Sequence, residues 1–396
     1  MRIALTGGTG LLGSNLILEI LKNNYKNLSD LEIIFFGRDS KEKKLSQRIY
    51  SIIKEDVLDY IDDPELEFSA IANWLEENTN YVNFDFADPN IKVSDESIKM
   101  LKSKKIDFFF HVAALTNLWN DEKSKRDLDI INYQGTINIV NLVKELKVGE
   151  FIYVGTAYQC GKTYGDIEPD YINLNQEFRS YYELVKLKAE IYVREFEKET
   201  GQKCRYFRPS VICGRLIEKP KGAINKFDVI YGWGLFMLNL KKRYVKDINN
   251  LMEEECNINL RYIISFESGL NIVPADFCAK VMWLTCIKDH KDNSFYLSYT
   301  SETKHLLYLS TILKYLKIKG VAAAKNFPKT MNKDELFYYR TAGKVFNPYM
   351  TAPEMRFDVS NITSTNYLAP LFSYRMDETD FDYLMKFATL KRFGDK

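Results

Sequence analysis

Ile3-Ala4-Leu5-Thr6-Gly7-Gly8-Thr9-Gly10-Leu11-Leu12-Gly13 runs from a short apolar segment into three glycines spaced G-x-x-G-x-x-G, and a helical pattern with apolar residues at 12, 16, 17, 20 and 21 follows. A strand before and a helix after is the context in which such glycines bind phosphate. Gly7 permits the tight turn, Gly10 lets the backbone approach a pyrophosphate, and Gly13 allows close helix–strand packing. The helix start adds unpaired N–H groups and a partial positive charge. The stretch predicts a dinucleotide site, against the plainer reading of a glycine-rich turn with no ligand.

Working outward, short β-branched or aromatic runs alternate with helical patterns, with strands at about 2–6, 32–36, 80–84, 106–112, 150–155 and 204–208 and helices at about 12–23, 94–103, 130–146 and 180–199. This alternation predicts an α/β fold, a Rossmann-type doubly wound parallel sheet with helices on both faces. The expected division is a dinucleotide-binding domain over 1–210 and a smaller mixed α/β substrate-binding part over 211–396. A segment near 268–298 is expected to return to the first domain, with Asn271-Ile272-Val273-Pro274-Ala275-Asp276 rejoining the main sheet and entering a helix.

The second strand, Glu32 to Phe36, ends in Gly37-Arg38. An acidic residue there ordinarily takes the ribose 2′-hydroxyl of NAD. Arg38 suits a 2′-phosphate instead, so NADP(H) is the expected cofactor, while Asp39 keeps NAD(H) open.

Tyr182 and Lys186 have the Y-x-x-x-K spacing that places two side chains on one helix face. Tyr50/Lys54, Tyr158/Lys162 and Tyr315/Lys319 share it, as expected in a chain with 26 tyrosines. Context selects Tyr182: Ser180 and Glu183 form a capping-box pattern, apolar residues follow at 184, 187 and 191, and Gly201 lies just past the end. The strand before it, Phe151 to Val154, ends in Gly155-Thr156-Ala157, which puts a hydroxyl at the mouth of the sheet. A lysine ammonium beside a tyrosine favours the phenolate and moves it toward a useful acid–base range. Thr156, Tyr182 and Lys186 are therefore the candidates for hydride chemistry at a carbonyl. Thr156 would bond the reacting oxygen, Tyr182 supply the proton and Lys186 hold the cofactor ribose.

In order along the chain stand the Gly7–Gly13 loop, His111-Val112-Ala113-Ala114, Asn132-x-x-Gly135-Thr136, Gly155-Thr156-Ala157-Tyr158, Tyr182-x-x-x-Lys186, Arg208-Pro209-Ser210 and Val273-Pro274-x-Asp276. Together these resemble the extended short-chain dehydrogenases over about residues 1–300. The resemblance implies that Asn132 supports the proton relay and that Asp85 lies near the adenine. It also implies a cofactor wall that adds Thr9, Leu11, Leu12, Phe86, Ala113, Ala114, Pro209 and Ser210 to the glycines, Arg38, Tyr182 and Lys186. Within that superfamily the chain looks most like the branch of fatty acyl reductases and thioester reductases. The long stretch from Arg38 to Asp85 and the strings His-Val-Ala-Ala, Thr-Ala-Tyr and Arg-Pro-Ser carry that likeness. Gly155 departs from it, standing where a serine commonly precedes the threonine.

The likeness implies reduction of an acyl thioester, bound to coenzyme A or a separate carrier protein, to an aldehyde or alcohol. Two other readings stand beside it: an epimerase, dehydrogenase or ketoreductase acting on a nucleotide sugar or other secondary alcohol, and a protein that binds NADP(H) without turnover, against which the tyrosine–lysine pair speaks. Phe227, Tyr231, Trp233 and Phe236 are candidates for an acyl pocket or for plain core.

Composition removes other classes. With 55 basic and 54 acidic residues there is no net attraction to nucleic acid or anionic lipid. The basic runs Lys41 to Lys44 and Lys241 to Arg243 are expected to be solvated faces. Six scattered cysteines and three histidines offer no metal-ligand spacing, and no metal is expected. No apolar run has the roughly 20 residues of a membrane span. The start of the chain shows no leader, so free cysteines in a reducing cytoplasm are expected. Oligomeric state is open.

Overall fold

The computed structural model describes every residue except 87–92, 248–249, 289, 373, 392 and 394–396. Seven parallel strands form the central sheet: β1 (Arg2–Thr6), β2 (Glu32–Gly37), β3 (Thr79–Asn83), β4 (Ile106–His111), β5 (Val148–Val154), β6 (Cys204–Pro209) and β7 (Ser294–Leu297), in the spatial order β7-β6-β5-β4-β1-β2-β3. The order reverses between β1 and β4, and in open α/β sheets the crevice at the carboxyl ends of such a pair is where ligands bind.

Both faces are covered, which is why the strands read as nearly unbroken apolar runs. Side chains alternate between two cores. Ile3, Leu5, Ile33 and Phe35 face α1 (Leu11–Asn24), α2 (Leu45–Ile61) and α3 (Phe68–Glu77). Ala4, Ile34, Phe36, Phe109 and Phe151 face α4 (Asp95–Ser103), α6 (Gly135–Lys144) and α7 (Tyr181–Thr200). Between β4 and α6 lies α5 (Glu122–Leu128), joined to α6 by a π-helical turn, Asp129–Gln134. Such turns cluster at functional sites.

Past β6 the chain builds α8 (Ile230–Lys241), α9 (Ala275–Ile287), α10 (His305–Tyr315), α11 (Lys333–Arg340) and α12 (Ala342–Met350), with Cys256–Ile263 pairing parallel to Ile318–Ala324. α9 packs back onto α1. The expectation that 271–276 rejoins the main sheet is corrected: Ile272–Pro274 pairs with Val211–Cys213 in a separate two-stranded sheet, and Ser294–Leu297, after α9, is the strand that pairs with β6. The basic run at 241–243 is also not a uniformly solvated face. Lys241 is wholly buried, and its Nζ donates to Leu316 O (2.7 Å) at the C-terminal end of α10. All six cysteines are free and buried. Among the described residues no helix is long and apolar enough to cross a membrane.

Candidate active site

A cavity of about 480 Å³ opens at the switch point, between the carboxyl ends of the strands and helices α8, α10 and α12. Its floor is the glycine loop. Gly7 has φ +75°, and a Cβ there would stand 2.7 Å from Ala113 N; a Cβ at Gly13 would stand 2.1 Å from Gly7 O. A Cβ at Gly10 would meet, among the described residues, only Gly7 O, at a close 3.3 Å. α1 starts from Gly10 with no side-chain cap, leaving its first amides to an anion. The loop therefore fits a dinucleotide pyrophosphate by shape and by polarity.

Of the sequence-predicted residues, Thr9, Leu11, Leu12, Arg38, Asp85, Phe86, Ala113, Ala114, Thr156, Tyr182, Pro209 and Ser210 line this cavity together with the three glycines. Lys186 and Asn132 do not. Lys186 is buried directly behind the wall: its Nζ donates to Val154 O (2.7 Å) and lies 4.6 Å from the centre of the Tyr153 ring. Burial lowers its pKa to about 7. Asn132 lies in the π-helical turn, where its Oδ1 accepts from Leu115 N (2.7 Å) and its Nδ2 donates to Leu115 O (2.9 Å). Both ends of the amide are spent on one backbone unit, so Asn132 braces the loop after β4.

Tyr182 reaches the cavity from the first turn of α7. Burial pushes its phenol up to about 12, Asp228 adds to the rise, and the hydroxyls of Thr116 and Thr156 oppose it by hydrogen bonding. The Lys186 ammonium is turned onto Val154 O. The helix start differs from the capping box read in the sequence. Ser180 Oγ pairs with Tyr349 OH (3.0 Å), and Asn120 Oδ1 caps from outside by accepting from Tyr181 N (2.8 Å). Gly201 ends α7 at φ +71°, as its position predicts.

One turn beyond Lys186, Glu190 forms a two-pronged pair with Arg208 on β6 (2.6 and 3.1 Å), and Gln159 Nε2 donates to its Oε2 (2.5 Å). Arg208 leads in holding this carboxyl down to about 2 against burial, which acts the other way. The network bears on Gly155: a Cβ there would stand 2.8 Å from Gln159 Oε1 and 3.1 Å from Glu190 Oε2, so a serine would require the Gln159 amide to shift.

A second buried chain runs under the site. Thr6 Oγ1 accepts from Val112 N and Ala113 N (both 3.1 Å), so its own hydrogen goes to His111 Nδ1 (2.9 Å). Nε2 is then the protonated nitrogen and donates to Thr136 Oγ1 (3.1 Å), which donates to Asn132 O (2.6 Å). Burial, aided by Lys186, lowers the imidazole pKa to about 3 and keeps it neutral. His111 thus ties the phosphate loop to the π-helical turn rather than titrating.

Among the lining residues that the sequence reading missed are Arg48, Thr116 and Asp228. Arg48 Nη2 donates to Thr9 Oγ1 (2.8 Å) from α2, whose Leu45, Ile49, Ile53 and Val57 repeat at four-residue spacing. That signal was present in the sequence. The four aromatics proposed for an acyl pocket divide. Trp233 lines the cavity, while Phe227 packs on Tyr231 and Phe393, and Phe236 on Phe337 and Tyr338.

A phosphate loop at the switch point, with a tyrosine, a lysine and a threonine grouped at the carboxyl ends of β5 and β6, defines an NAD(P)-dependent oxidoreductase of the extended short-chain dehydrogenase type. The chain belongs to the male sterility protein family of NAD-binding domains, whose sequence model matches residues 5–282. Among solved structures it is similar to the terminal R domain of the myxalamid PKS-NRPS biosynthetic pathway (18% identity, TM-score 0.66, covering 99% of this chain and 91% of that one). It is also similar to a thiolation-reductase di-domain of an archaeal non-ribosomal peptide synthetase (14%, TM-score 0.62, 100% and 76%). A putative UDP-glucose 4-epimerase of Methanocaldococcus jannaschii is 23% identical over 224 residues, which span 56% of this chain and 58% of that relative.

Proposed function

We propose that this protein is an NADPH-dependent reductase of acyl thioesters, with the acyl group carried by coenzyme A or a separate carrier protein. One observation carries the reading. The walls supplied by the C-terminal helices are apolar (Ile230 and Trp233 of α8, Leu309 of α10, Phe346 and Met350 of α12), and Lys226 and Asp228, the charged pair on the adjoining strap, neutralise each other at 2.5 Å. Such a chamber suits an acyl chain; a nucleotide sugar would require cations for its diphosphate. On this reading residues 1–210 hold the cofactor and 211–396 supply the chamber. The male sterility family and the R-domain likeness agree with it. Six buried free thiols suit a cytoplasmic setting.

Preference for NADP(H) rests on the end of β2. Gly37 offers no carboxylate, and Asp39 Oδ1 is committed to Leu45 N at the start of α2 (2.8 Å). Two guanidinium groups stand nearby instead. Arg38 is 71% exposed and lies 3.7 Å from Asp85, and Arg48 is anchored on Thr9 Oγ1 and Arg38 O. Both suit a 2′-phosphate.

When bound, the reduced nicotinamide supplies a hydride to the acyl carbon. As the carbonyl π pair moves onto oxygen, Tyr182 delivers its proton there; a phenol near 12 is held in its acid form at neutral pH, ready for reduction. Thr156 holds the same oxygen. The Tyr182 phenolate then recovers the proton as the C–S bond breaks, the carbonyl reforms as an aldehyde, and the departing sulfur takes a proton from solvent.

The test is incubation of the purified protein with octanoyl-coenzyme A and NADPH. Loss of NADPH absorbance with matching release of free thiol is expected. NADP+-dependent oxidation of a secondary alcohol, or turnover of a nucleotide-sugar substrate, without thiol release from octanoyl-coenzyme A would overturn the proposal.

A further inference from the structure

The loop after β4 is fastened more firmly than a connection needs. Asn132 grips Leu115 through both ends of its amide. Asn117 Oδ1 accepts from Trp119 N (3.0 Å) and its Nδ2 donates to Ser124 Oγ (3.0 Å). Asn120 accepts from Tyr181 N (2.8 Å), the residue before the candidate acid. Between the first two anchors stands Thr116. It lines the cavity with Tyr182 and Thr156, and its hydroxyl, like that of Thr156 at the end of β5, is within hydrogen-bonding reach of the Tyr182 phenol. Asp228 of the strap and Glu183 of the same helix both raise the pKa of that phenol.

We infer that Thr116 is a second hydroxyl donor to the reacting oxygen and that Asn132 is the positioning residue that places it. To take the Tyr182 proton, that oxygen must come within about 3 Å of the phenol. Thr156 is already shared, accepting from Tyr158 N (3.4 Å) and donating over a long 3.5 Å to Pro209 O. An oxygen gaining a full negative charge from the adding hydride is stabilised by donors fixed in advance, and a loop pinned on both sides of Thr116 meets that condition without reorganisation. The inference rests on the reductase reading for the reaction, and it holds whether the carbonyl belongs to a thioester or to an aldehyde.

Thr116→Val removes the hydroxyl at nearly constant shape, and Thr116→Ser restores it. kcat and KM are measured with NADPH on both octanoyl-coenzyme A and octanal, with the NADPH Kd followed by nicotinamide fluorescence. The valine variant is expected to lose on the order of 10²-fold in kcat on either substrate. KM and NADPH Kd stay within about twofold, and serine recovers most of the rate. Asn132→Ala is expected to lower kcat by itself but to add little in the Thr116→Val background, since two residues acting through one interaction are not additive. Wild-type kcat for Thr116→Val, no rescue by serine, or full additivity with Asn132→Ala each overturn the inference. Octanal reduction without octanoyl-coenzyme A turnover overturns the thioester reading alone, and the octanal series then decides Thr116.

Discussion

Gly10→Ala and Gly13→Ala are predicted to behave differently although both alter the same loop. At Gly10 the backbone has φ −83° and ψ 171°, which any L-residue adopts, and the added methyl meets only Gly7 O at 3.3 Å. Folding should be unchanged within about 0.5 kcal/mol, with reduced chain entropy in the unfolded state helping. The methyl would instead occupy the space through which a pyrophosphate approaches the backbone. NADPH affinity should fall by on the order of 10²-fold, about 2.8 kcal/mol. At Gly13 the methyl would lie 2.1 Å from Gly7 O, 2.8 Å from Gly7 C and 3.0 Å from Gly8 Cα, all of it backbone. Relief requires a shift of roughly 1 Å between α1 and the loop, so overpacking of about 1–3 kcal/mol is expected alongside lost binding. Thermal unfolding and NADPH fluorescence titration of both variants give the comparison. A Gly10→Ala protein that binds NADPH as tightly as wild type would refute the phosphate-loop assignment.

Arg38→Ala and Arg48→Ala should each weaken NADPH binding by about 10-fold or more while leaving NADH binding nearly unchanged, as measured by paired titrations. Glu190→Gln leaves Arg208 buried without its carboxylate and should cost about 3–5 kcal/mol in urea unfolding, loosening α7 against β6. Lys186 has its folded pKa lowered by burial to about 7 from 10.5, so between these pH values the unfolded chain binds more protons there than the folded one. Its contribution to stability therefore rises with pH across that window, by at most about 1.4 kcal/mol per pH unit. The stability of wild type relative to Lys186→Met, followed by urea unfolding from pH 7 to 10, should rise; a flat or falling difference contradicts the buried ammonium.

What the sequence reveals and what it hides follow from how local each feature is. The glycine loop, Thr156 and the Tyr182/Lys186 pair are set by spacing along one strand–helix unit, and all but Lys186 reach the cavity wall. Lys186 sits on the expected helix, yet its ammonium bends inward to a strand carbonyl, a contact with a residue 32 positions away. Thr116 lies in irregular chain whose course is set by Asn132, 17 residues beyond Leu115, and no periodicity announces it. α2 and α3 are legible in the apolar spacing of 45–61 and 68–77, but the sequence reading assigns no helix to the long stretch from Arg38 to Asp85, and Arg48 is hidden with it. Strand character at 272–274 is a local property and was readable; the partner strand at 211–213 is not local, which is why the sheet was misassigned. Lys241 looks like a surface charge until α10 ends beside it.

The most direct test of the proton-donor assignment is turnover by Tyr182→Phe, measured as NADPH oxidation with octanoyl-coenzyme A beside a fluorescence titration of NADPH. The phenol oxygen is the only atom removed, and the ring still fills its place in α7. The account predicts a loss of about 10³-fold or more in kcat with NADPH affinity retained. A variant that keeps the wild-type rate would contradict it.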